Sequence, residues 1–303
     1  MNIQRNKTIT PYFTLKTESV AEQFVEVFSQ EELVEAVSYA HHEAIPFLIL
    51  GGGSNIAVCQ SPLKGLVIRN VFHLKEQIAE TDATVDLRVS SGYPMARLVL
   101  ETCNDGLAGL EYQKGLPGSV GGAVYMNSKW MHPETYVGDS LIEATVLTKD
   151  GSIKKVDRLY FQFRYDYSIL QQTKEVLLDA TFRFRKADPA TLRERAETAF
   201  AYRKKTQPFG VSTCGCFFQN ISKAEQEKLN LPTTSAGYLI DQAHLKGTQV
   251  GAFQVSDVHA NFIINTGGGT PEELQSLLAR IKTQVKDQFG VELHEEVQLI
   301  TRQ

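Results

Sequence analysis

The sequence has 303 residues, of which 42% are hydrophobic and 22% charged, and its net charge is −4. This length predicts two or three domains, and no apolar run approaches the roughly 18 residues of a membrane span. The net charge gives no basic footprint for nucleic acid, so neither a nucleic-acid nor a membrane partner is predicted. The N-terminus has no secretory h-region, and four cysteines are too few for a secreted disulfide framework. We therefore predict a cytoplasmic protein.

The first predicted elements are a strand over 24–27, a helix over 29–41 and a strand over 47–50. Ser29 and Glu32 have the spacing of a capping box, which predicts the helix start. The glycine-rich run Gly51–Asn55 follows the second strand directly.

Further along, 66–68 is predicted as a short buried strand and 85–89 as a half-exposed strand, because apolar and polar residues alternate there. A helix is predicted from about Met95, ending at Gly106.

A β-hairpin is predicted where 141–148 and 153–156 flank Asp150-Gly151. One more strand is predicted over 175–184. Asp188-Pro189 then predicts the start of a charged helix that continues to about residue 202.

The last hundred residues contain three helix signals, at Ser222-x-x-Glu225, at 236–243 and at Thr270-Pro271. The third helix carries an apolar stripe, typical of core packing, and is predicted to end at Gly290. Its members are Leu274, Leu277, Leu278, Ile281 and Val285. The mixture of helices with antiparallel or mixed sheets predicts an α+β fold.

The run Gly51-Gly52-Gly53-Ser54-Asn55 matches neither a phosphate-binding P-loop nor the dinucleotide fingerprint of a Rossmann fold. Three residues without Cβ allow successive backbone N–H groups to face one anion, such as a pyrophosphate. A simple tight turn after a strand is the alternative.

A second glycine-rich run begins at Gly115 and is predicted to be a loop, since its glycines and proline disfavour a regular helix or central strand. Its small side chains would let a flat ligand approach the backbone. Two such loops favour one extended ligand that carries a diphosphate. The candidate binding residues of this run are Gly115, Pro117, Gly118, Ser119, Gly121, Gly122 and Ala123.

The segments LILGGGSNIAV and GLEYQKGLPGSVGGAVYMN resemble the flavin-binding half of the UDP-N-acetylmuramate dehydrogenase family, also called UDP-N-acetylenolpyruvoylglucosamine reductases. The resemblance runs from about residue 14 to 299 and is to the shorter form of the family. It implies a vanillyl-alcohol-oxidase-like, two-subdomain FAD-binding fold and a C-terminal α+β substrate domain. The implied divisions are 1–70, 71–200 and 201–303.

The resemblance also implies non-covalently bound FAD, NADPH as hydride donor, and UDP-N-acetylglucosamine enolpyruvate as the substrate of a monomeric enzyme. Neither glycine loop has a His or Cys suited to covalent flavin attachment. In the family a serine of Gly-Ser-Phe-Phe donates the proton that completes reduction, and Cys216 stands at that position here. A thiol, with a reference pKa of about 8.5, is a stronger acid than an alcohol.

Glu296, before Val297, matches the family's catalytic glutamate, and its neighbour Glu295 is expected on the opposite face if the segment is a strand. Tyr165 matches a family tyrosine with a catalytic role. A solvated charge pair and a core tyrosine are the respective alternatives.

A departure from the family pattern occurs at Asp166, where the family has an arginine that supports the substrate's carboxylate. Arg164, which would share a strand face with Asp166, or Arg203 is expected to supply the cation. The remaining predicted substrate-binding residues are Asn220, Lys246 and His259.

The pair Cys214 and Cys216 raises a metal or disulfide interpretation, but no second cluster has zinc spacing, so no metal is predicted. Thr206 replaces a family lysine associated with the nicotinamide cofactor. Two alternatives to the reductase remain: an FAD oxidoreductase of the same fold with another substrate or oxygen, and a flavin- or UDP-sugar-binding protein that has lost catalysis.

Overall fold

The computed structural model describes residues 1–301. Contacts within the chain divide it into two compact units. The first consists of Met1–Gln4, Gln23–Gly52 and Gly65–Arg203, and the second of Arg5–Glu22, Gly53–Lys64 and the residues from 204 onward. These units interleave along the sequence, and the predicted three-part division stays a prediction.

Helices and strands occur in both units. The α-helices are α1 (Gln30–His42), α2 (Met95–Asn104), α3 (Val120–Tyr125), α4 (Leu170–Thr173), α5 (Pro189–Thr206), α6 (Lys223–Lys228), α7 (Ala236–Gln242) and α8 (Pro271–Phe289). The strands are β1 (Gln4–Thr8), β2 (Val20–Val27), β3 (Phe47–Leu50), β4 (Ile56–Val58), β5 (Leu63–Asn70), β6 (Lys75–Glu80), β7 (Thr84–Ser90), β8 (Leu107–Ala108), β9 (Lys129–Met131), β10 (Glu134–Tyr136), β11 (Leu141–Leu147), β12 (Ile153–Asp157), β13 (Val176–Lys186), β14 (Gln249–Val250), β15 (Phe253–Val255), β16 (Ile263–Asn265) and β17 (Gln298–Ile300).

The first helix of the chain begins where its capping residues predicted. The hydroxyl of Ser29 accepts a hydrogen bond from the backbone N–H of Glu32, and the Glu32 carboxylate accepts one from Phe28 N–H at 2.6 Å. In the first unit β3 pairs in parallel with β5, which in turn neighbours β2. The predicted strand, helix and strand are therefore confirmed.

A six-stranded sheet forms the centre of the first unit, with strand order β12-β11-β13-β7-β6 and with β8 on β13. The hairpin of β11 and β12 is antiparallel, as predicted. Gly151 in its turn has φ +84°, a left-handed conformation that glycine adopts without strain. The turn residues thus set the register of this edge of the sheet.

The prediction that β7 is half-exposed was wrong, since Asp86 and Ser90 on its polar face are buried along with its apolar residues. Asp86 is only 6% exposed. Arg183 of β13 donates two hydrogen bonds to its carboxylate, at 2.8 and 2.7 Å. Ser90 donates to the carbonyl of Phe72 at 2.7 Å. Asp86 and Ser90 can be buried because neighbouring elements supply their hydrogen-bond partners.

Glu101 on α2 is bound by Lys75, Arg97 and Tyr93. Burial alone would raise the pKa of its carboxyl, but these hydrogen bonds and charges prevail and lower that pKa to about 2. We expect Glu101→Gln to lower the free energy of unfolding by roughly 1 kcal/mol at pH 7, a value reduced for solvent screening. Because a lowered pKa stabilises only the ionised form, the difference from the parent should shrink as the pH falls from about 4.5 toward 2.

Urea unfolding of both proteins at several pH values measures this difference. A deficit that stays constant down to pH 2 would show that Glu101 stabilises the fold by packing rather than by charge.

The second unit contains the antiparallel sheet β14-β15-β16, the parallel pair of β4 with β17, and α8. Thr270 and Glu273 form a capping box at the start of α8, and Gly290, with φ +72°, ends the helix. The whole predicted apolar stripe of α8 is buried. These predictions from local sequence are confirmed.

Among residues 1–301, no helix is both long enough and apolar enough to cross a membrane. Nor do three or more His, Cys, Asp or Glu side chains of this range come together in a metal-binding arrangement.

Candidate active site

The two glycine-rich runs touch each other within the first unit. A Cβ atom on Gly52 would lie 2.5 Å from the Cα of Gly118, and one on Gly51 would overlap the hydroxyl of Ser119. Real Cβ atoms do not approach backbone so closely, so only glycine fits at position 52, whereas a side chain on residue 51 would displace the Ser119 hydroxyl. The runs therefore form one continuous backbone surface that lacks bulky side chains.

The second glycine run is part loop and part helix. Gly115 and Gly118 have φ of +82° and +101°, in keeping with the predicted loop. The prediction that no helix forms in this run was wrong, however, because α3 begins at Val120. Ser119 caps it by accepting from Gly122 N–H, and Gly121 N–H donates to the carbonyl of Ser91 at 2.7 Å. Glycine is tolerated in this first turn because the cap and the close packing on Ser91 compensate its low helix propensity.

The end of the first glycine run lies in the second unit. Gly53, with φ +61°, leaves no room for a side chain, since a Cβ atom would overlap the carbonyl of Tyr12. Asn55 donates from its side chain to the carbonyl of Glu296 at 3.4 Å, and its own carbonyl accepts from Gln298 N–H at 2.9 Å. The last residue of the predicted cofactor loop is thus hydrogen-bonded to the main chain at the predicted catalytic glutamate.

Cys216 and Glu296 lie on two segments of the second unit that are hydrogen-bonded to each other. The backbone N–H of Glu296 donates to the carbonyl of Phe217 at 2.8 Å, and Phe218 forms a β-bridge with Glu295. Cys216 itself is half-buried and bridges to Phe262. The two predicted catalytic groups are therefore brought to adjacent positions of the backbone.

Cys214 and Glu295, the residues near Cys216 and Glu296 that carry the same functional groups, are buried and ion-paired, respectively. Cys214 is buried, and burial raises the pKa of its thiol well above the ordinary value, so it stays protonated. The carboxylate of Glu295 is paired with Lys282 at 2.5 Å. Residues 291–297 are irregular rather than a strand, so the conditional expectation about opposite strand faces does not apply.

Three predicted substrate-binding residues group around α7. The side-chain oxygen of Asn220 accepts from Ala236 N–H at 3.1 Å, and Lys246 forms an ion pair with Asp241 at 2.9 Å. The ring of His259 lies where a Cβ atom on Gly237 would come within 3.0 Å of it. Each therefore has a structural contact on this helix.

The environment of the His259 ring favours its neutral form. Burial lowers the pKa of its ring. Its Nδ1 accepts from the backbone N–H of Asn261 at 3.2 Å, so the ring proton lies on Nε2. The ring can therefore donate one hydrogen bond from Nε2.

In the first unit Tyr165 lies at the tip of a tight turn, and the expected strand at this point was wrong. Arg164 and Tyr167 exchange backbone hydrogen bonds, and Asp166 has φ +49°. Because the chain turns here, Arg164 and Asp166 do not share a face: Arg164 is exposed above the ring of Tyr167, and Asp166 is buried.

Arg203 lies beside the second glycine run. Its guanidinium is 4.6 Å from the ring centroid of Trp130, and a Cβ atom on Gly115 would lie 3.3 Å from its Cδ. The stack fixes a planar cation next to the loop that is predicted to hold the cofactor.

The cation beside Asp166 is a residue that the sequence did not identify, Lys129 of β9. Its Nζ lies 2.5 and 2.6 Å from the two carboxylate oxygens of Asp166 and 3.7 Å from the ring centroid of Tyr165. A buried aspartate predicts a nearby cation, but the sequence has 31 lysines and arginines from which to choose. The sequence analysis also did not single out Trp130, the next residue, whose ring contacts Arg203.

Two family models match the chain. Residues 21–157 match the model described as FAD binding domain, and residues 207–300 match the one described as UDP-N-acetylenolpyruvoylglucosamine reductase, C-terminal domain. The first match contains both glycine runs, and the second contains Cys216 and Glu296.

Curated relatives match along nearly the whole chain. The UDP-N-acetylenolpyruvoylglucosamine reductase of Listeria innocua is 32% identical over 298 residues, covering 98% of this chain and 95% of the relative. The reductase of Chlamydia felis is 33% identical and covers 99% and 95%. Reductase 1 of Bacillus anthracis is 37% identical over 256 residues, covering 84% and 80%.

A solved structure has the same fold. UDP-N-acetylenolpyruvylglucosamine reductase (MurB) from Thermus caldophilus superposes with a TM-score of 0.79 at 28% identity, covering 99% of both chains. The predicted fold class and the FAD-binding domain are confirmed by these matches. This chain belongs to the UDP-N-acetylenolpyruvoylglucosamine reductase family.

Proposed function

We propose that this protein reduces the enolpyruvyl group of UDP-N-acetylglucosamine enolpyruvate with NADPH, giving the lactyl ether of UDP-N-acetylmuramate. The observation that carries the proposal is the family match over both the FAD-binding region and the C-terminal domain. An FAD oxidoreductase of the same fold with another substrate would have no need of the C-terminal domain that residues 207–300 match. The product is a precursor of peptidoglycan.

The glycine runs fit the cofactor that the family implies. Residues 51–55 and 115–123 would hold FAD, because the two runs pack against each other at Gly52 and Gly118 and consist mostly of small residues, which permit close approach of a ligand to the main chain. Bound FAD would supply the redox chemistry, taking a hydride from NADPH and passing it to the substrate. The protein's own groups then have to bind the substrate, orient it and provide a proton.

Cys216 is the proton donor in this proposal. Reduction of the enolpyruvyl double bond is complete only when the carbon next to the carboxylate gains a proton, and a thiol is a stronger acid than the alcohol usual in the family. Cys214 is unsuited to the role, because it is buried and its burial raises the pKa of the thiol. Glu296, held by Phe217 and Asn55, would assist as an acid on the enolate side.

Substrate binding is assigned to two groups of residues. Asn220, Lys246 and His259 around α7 offer an amide, a cation and an imidazole N–H, which suit the oxygens of a nucleotide sugar. Tyr165, Arg164 and Arg203 are the other substrate contacts that the family resemblance predicts.

Turnover of NADPH separates this function from its alternatives. NADPH oxidation that requires the enolpyruvyl substrate, with UDP-N-acetylmuramate as product, is the expected result. Oxidation by oxygen alone would indicate another flavin oxidoreductase, and bound flavin without any oxidation would indicate a binding protein. Cytoplasmic location, a monomeric state and the lack of nucleic-acid partners stay predictions.

A further inference from the structure

The turn that presents Tyr165 is built from two residues with opposite environments. Arg164 and Tyr167 pair through backbone hydrogen bonds of 3.1 and 3.2 Å and leave Tyr165 and Asp166 at the tip. Tyr165 is 38% exposed, whereas Asp166 is 4% exposed. The turn therefore holds an aspartate inside the protein and a tyrosine at its surface.

One cation contacts both tip residues. Lys129 binds both oxygens of Asp166 at 2.5 and 2.6 Å, and the same Nζ lies 3.7 Å from the ring centroid of Tyr165. Its side chain is only 14% exposed. Because burial removes competing water, both the ion pair and the cation–π contact are stronger than at an open surface.

The backbone of the turn has separate anchors. The side-chain amide of Asn127 donates to the carbonyl of Arg164 at 3.0 Å, and that of Gln171 donates to the carbonyl of Asp166 at 2.8 Å. These bonds do not involve Lys129. Lys129 therefore acts on the side chains at the tip, while the amides maintain the path of the main chain.

We infer that Lys129 is a positioning residue for the reaction, which fixes the ring of Tyr165 against the substrate while Asp166 fixes Lys129. The inference rests on the proposed function. Since Asp166 neutralises Lys129, the pair adds no net charge that would attract an anionic substrate. Its contribution is the orientation of Tyr165, and orientation affects the rate of the chemical step more than the affinity for substrate.

A double-mutant cycle tests whether Lys129 acts through Tyr165. We expect Lys129→Met to slow oxidation of the NADPH-reduced enzyme by enolpyruvyl substrate about tenfold, with substrate KM changed less than about twofold. In a Tyr165→Leu background, which has no ring to orient, the same change should add less than about twofold. Stopped-flow flavin absorbance gives these rates.

Two further variants separate orientation from charge. Lys129→Arg keeps a cation over the ring and should recover most of the parent rate. Lys129→Met with Asp166→Asn removes both charges and leaves no buried unpaired carboxylate, so it should fold even if the single variant does not. It should be as slow as Lys129→Met; a return to the parent rate would mean that Lys129 only neutralises Asp166, and would overturn the inference.

The matched control is Arg88→Met, which removes the cation from another buried carboxylate of the first unit. Arg88 lies 3.0 Å from Asp179, whose side chain is 3% exposed. This variant should reoxidise at the parent rate, and slowing equal to that of Lys129→Met would show a general effect of breaking an ion pair. Full additivity of Lys129→Met with Tyr165→Leu, or a rise in substrate KM alone, would assign Lys129 to substrate binding and overturn the inference. If the parent itself is not reoxidised by enolpyruvyl substrate, the proposed function fails instead.

Discussion

Cys216→Ala is expected to slow the reoxidation of NADPH-reduced enzyme by enolpyruvyl substrate about 10²-fold or more. The alanine removes the only proton that the side chain can deliver, and the half-buried position limits replacement by water. Bleaching of the flavin by NADPH should be unchanged, because that half-reaction needs no proton at the substrate carbon. Stopped-flow absorbance of the two half-reactions measures each effect.

Two matched variants make this test specific. Cys216→Ser restores the residue usual in the family and should retain measurable reoxidation, since a hydroxyl can still donate. Cys214→Ala removes a thiol only two positions away, but a buried one, and should leave both half-reactions near the parent rate. Parent-like reoxidation by Cys216→Ala would transfer the role of the acid to Glu296 or to a water molecule.

Gly52→Val is expected to leave the purified protein with less than about a tenth of the parent's FAD. Its Cβ would lie 2.5 Å from the Cα of Gly118, so the two glycine runs would have to move apart. A backbone clash cannot be relieved by a rotamer change, and the branched side chain would also cover the backbone that the flavin is proposed to contact. The measurement is flavin released into acid supernatant per polypeptide, which also shows whether the cofactor is non-covalent.

Gly151→Ala is the control for the loss of a glycine. Gly151 has a left-handed φ, but a Cβ there would meet no atom within 4 Å. Gly151→Ala should lower the free energy of unfolding by about 1 kcal/mol and leave the FAD content unchanged. A normal FAD content in Gly52→Val, or an equal loss of FAD in both variants, would show that the contact between the two glycine runs is not part of the cofactor site.

The local sequence predicted elements whose signals lie within a few residues of one another. Caps and glycine stops identified α1 and α8, and Asp150-Gly151 identified the hairpin of β11 and β12. The order of the two glycine runs and Gly-Cys-Phe-Phe identified the family. Such features can be read directly, because helix caps, turns and side-chain periodicity depend on short-range geometry.

The local sequence did not predict which polar residues are buried. The alternation in β7 predicted exposure, but Asp86 is covered by Arg183, 97 residues later in the chain. The alternation of apolar and polar residues in a strand does not show whether a polar side chain is exposed to water or paired with a buried partner. That depends on which elements pack against the strand in the folded sheet.

What the sequence by itself determined is the family, the FAD-binding and C-terminal regions, and the identities of Cys216, Glu296 and Tyr165 as candidates. Only the tertiary structure decided how the departure at Asp166 is accommodated. That Arg164 or Arg203 takes the place of the family's arginine toward the substrate stays a prediction. The sequence named no partner for Asp166 itself, which is paired with Lys129, 37 residues away. The physical reason is that an ion pair acts through space: its partner is the cation that packing brings to the buried carboxylate.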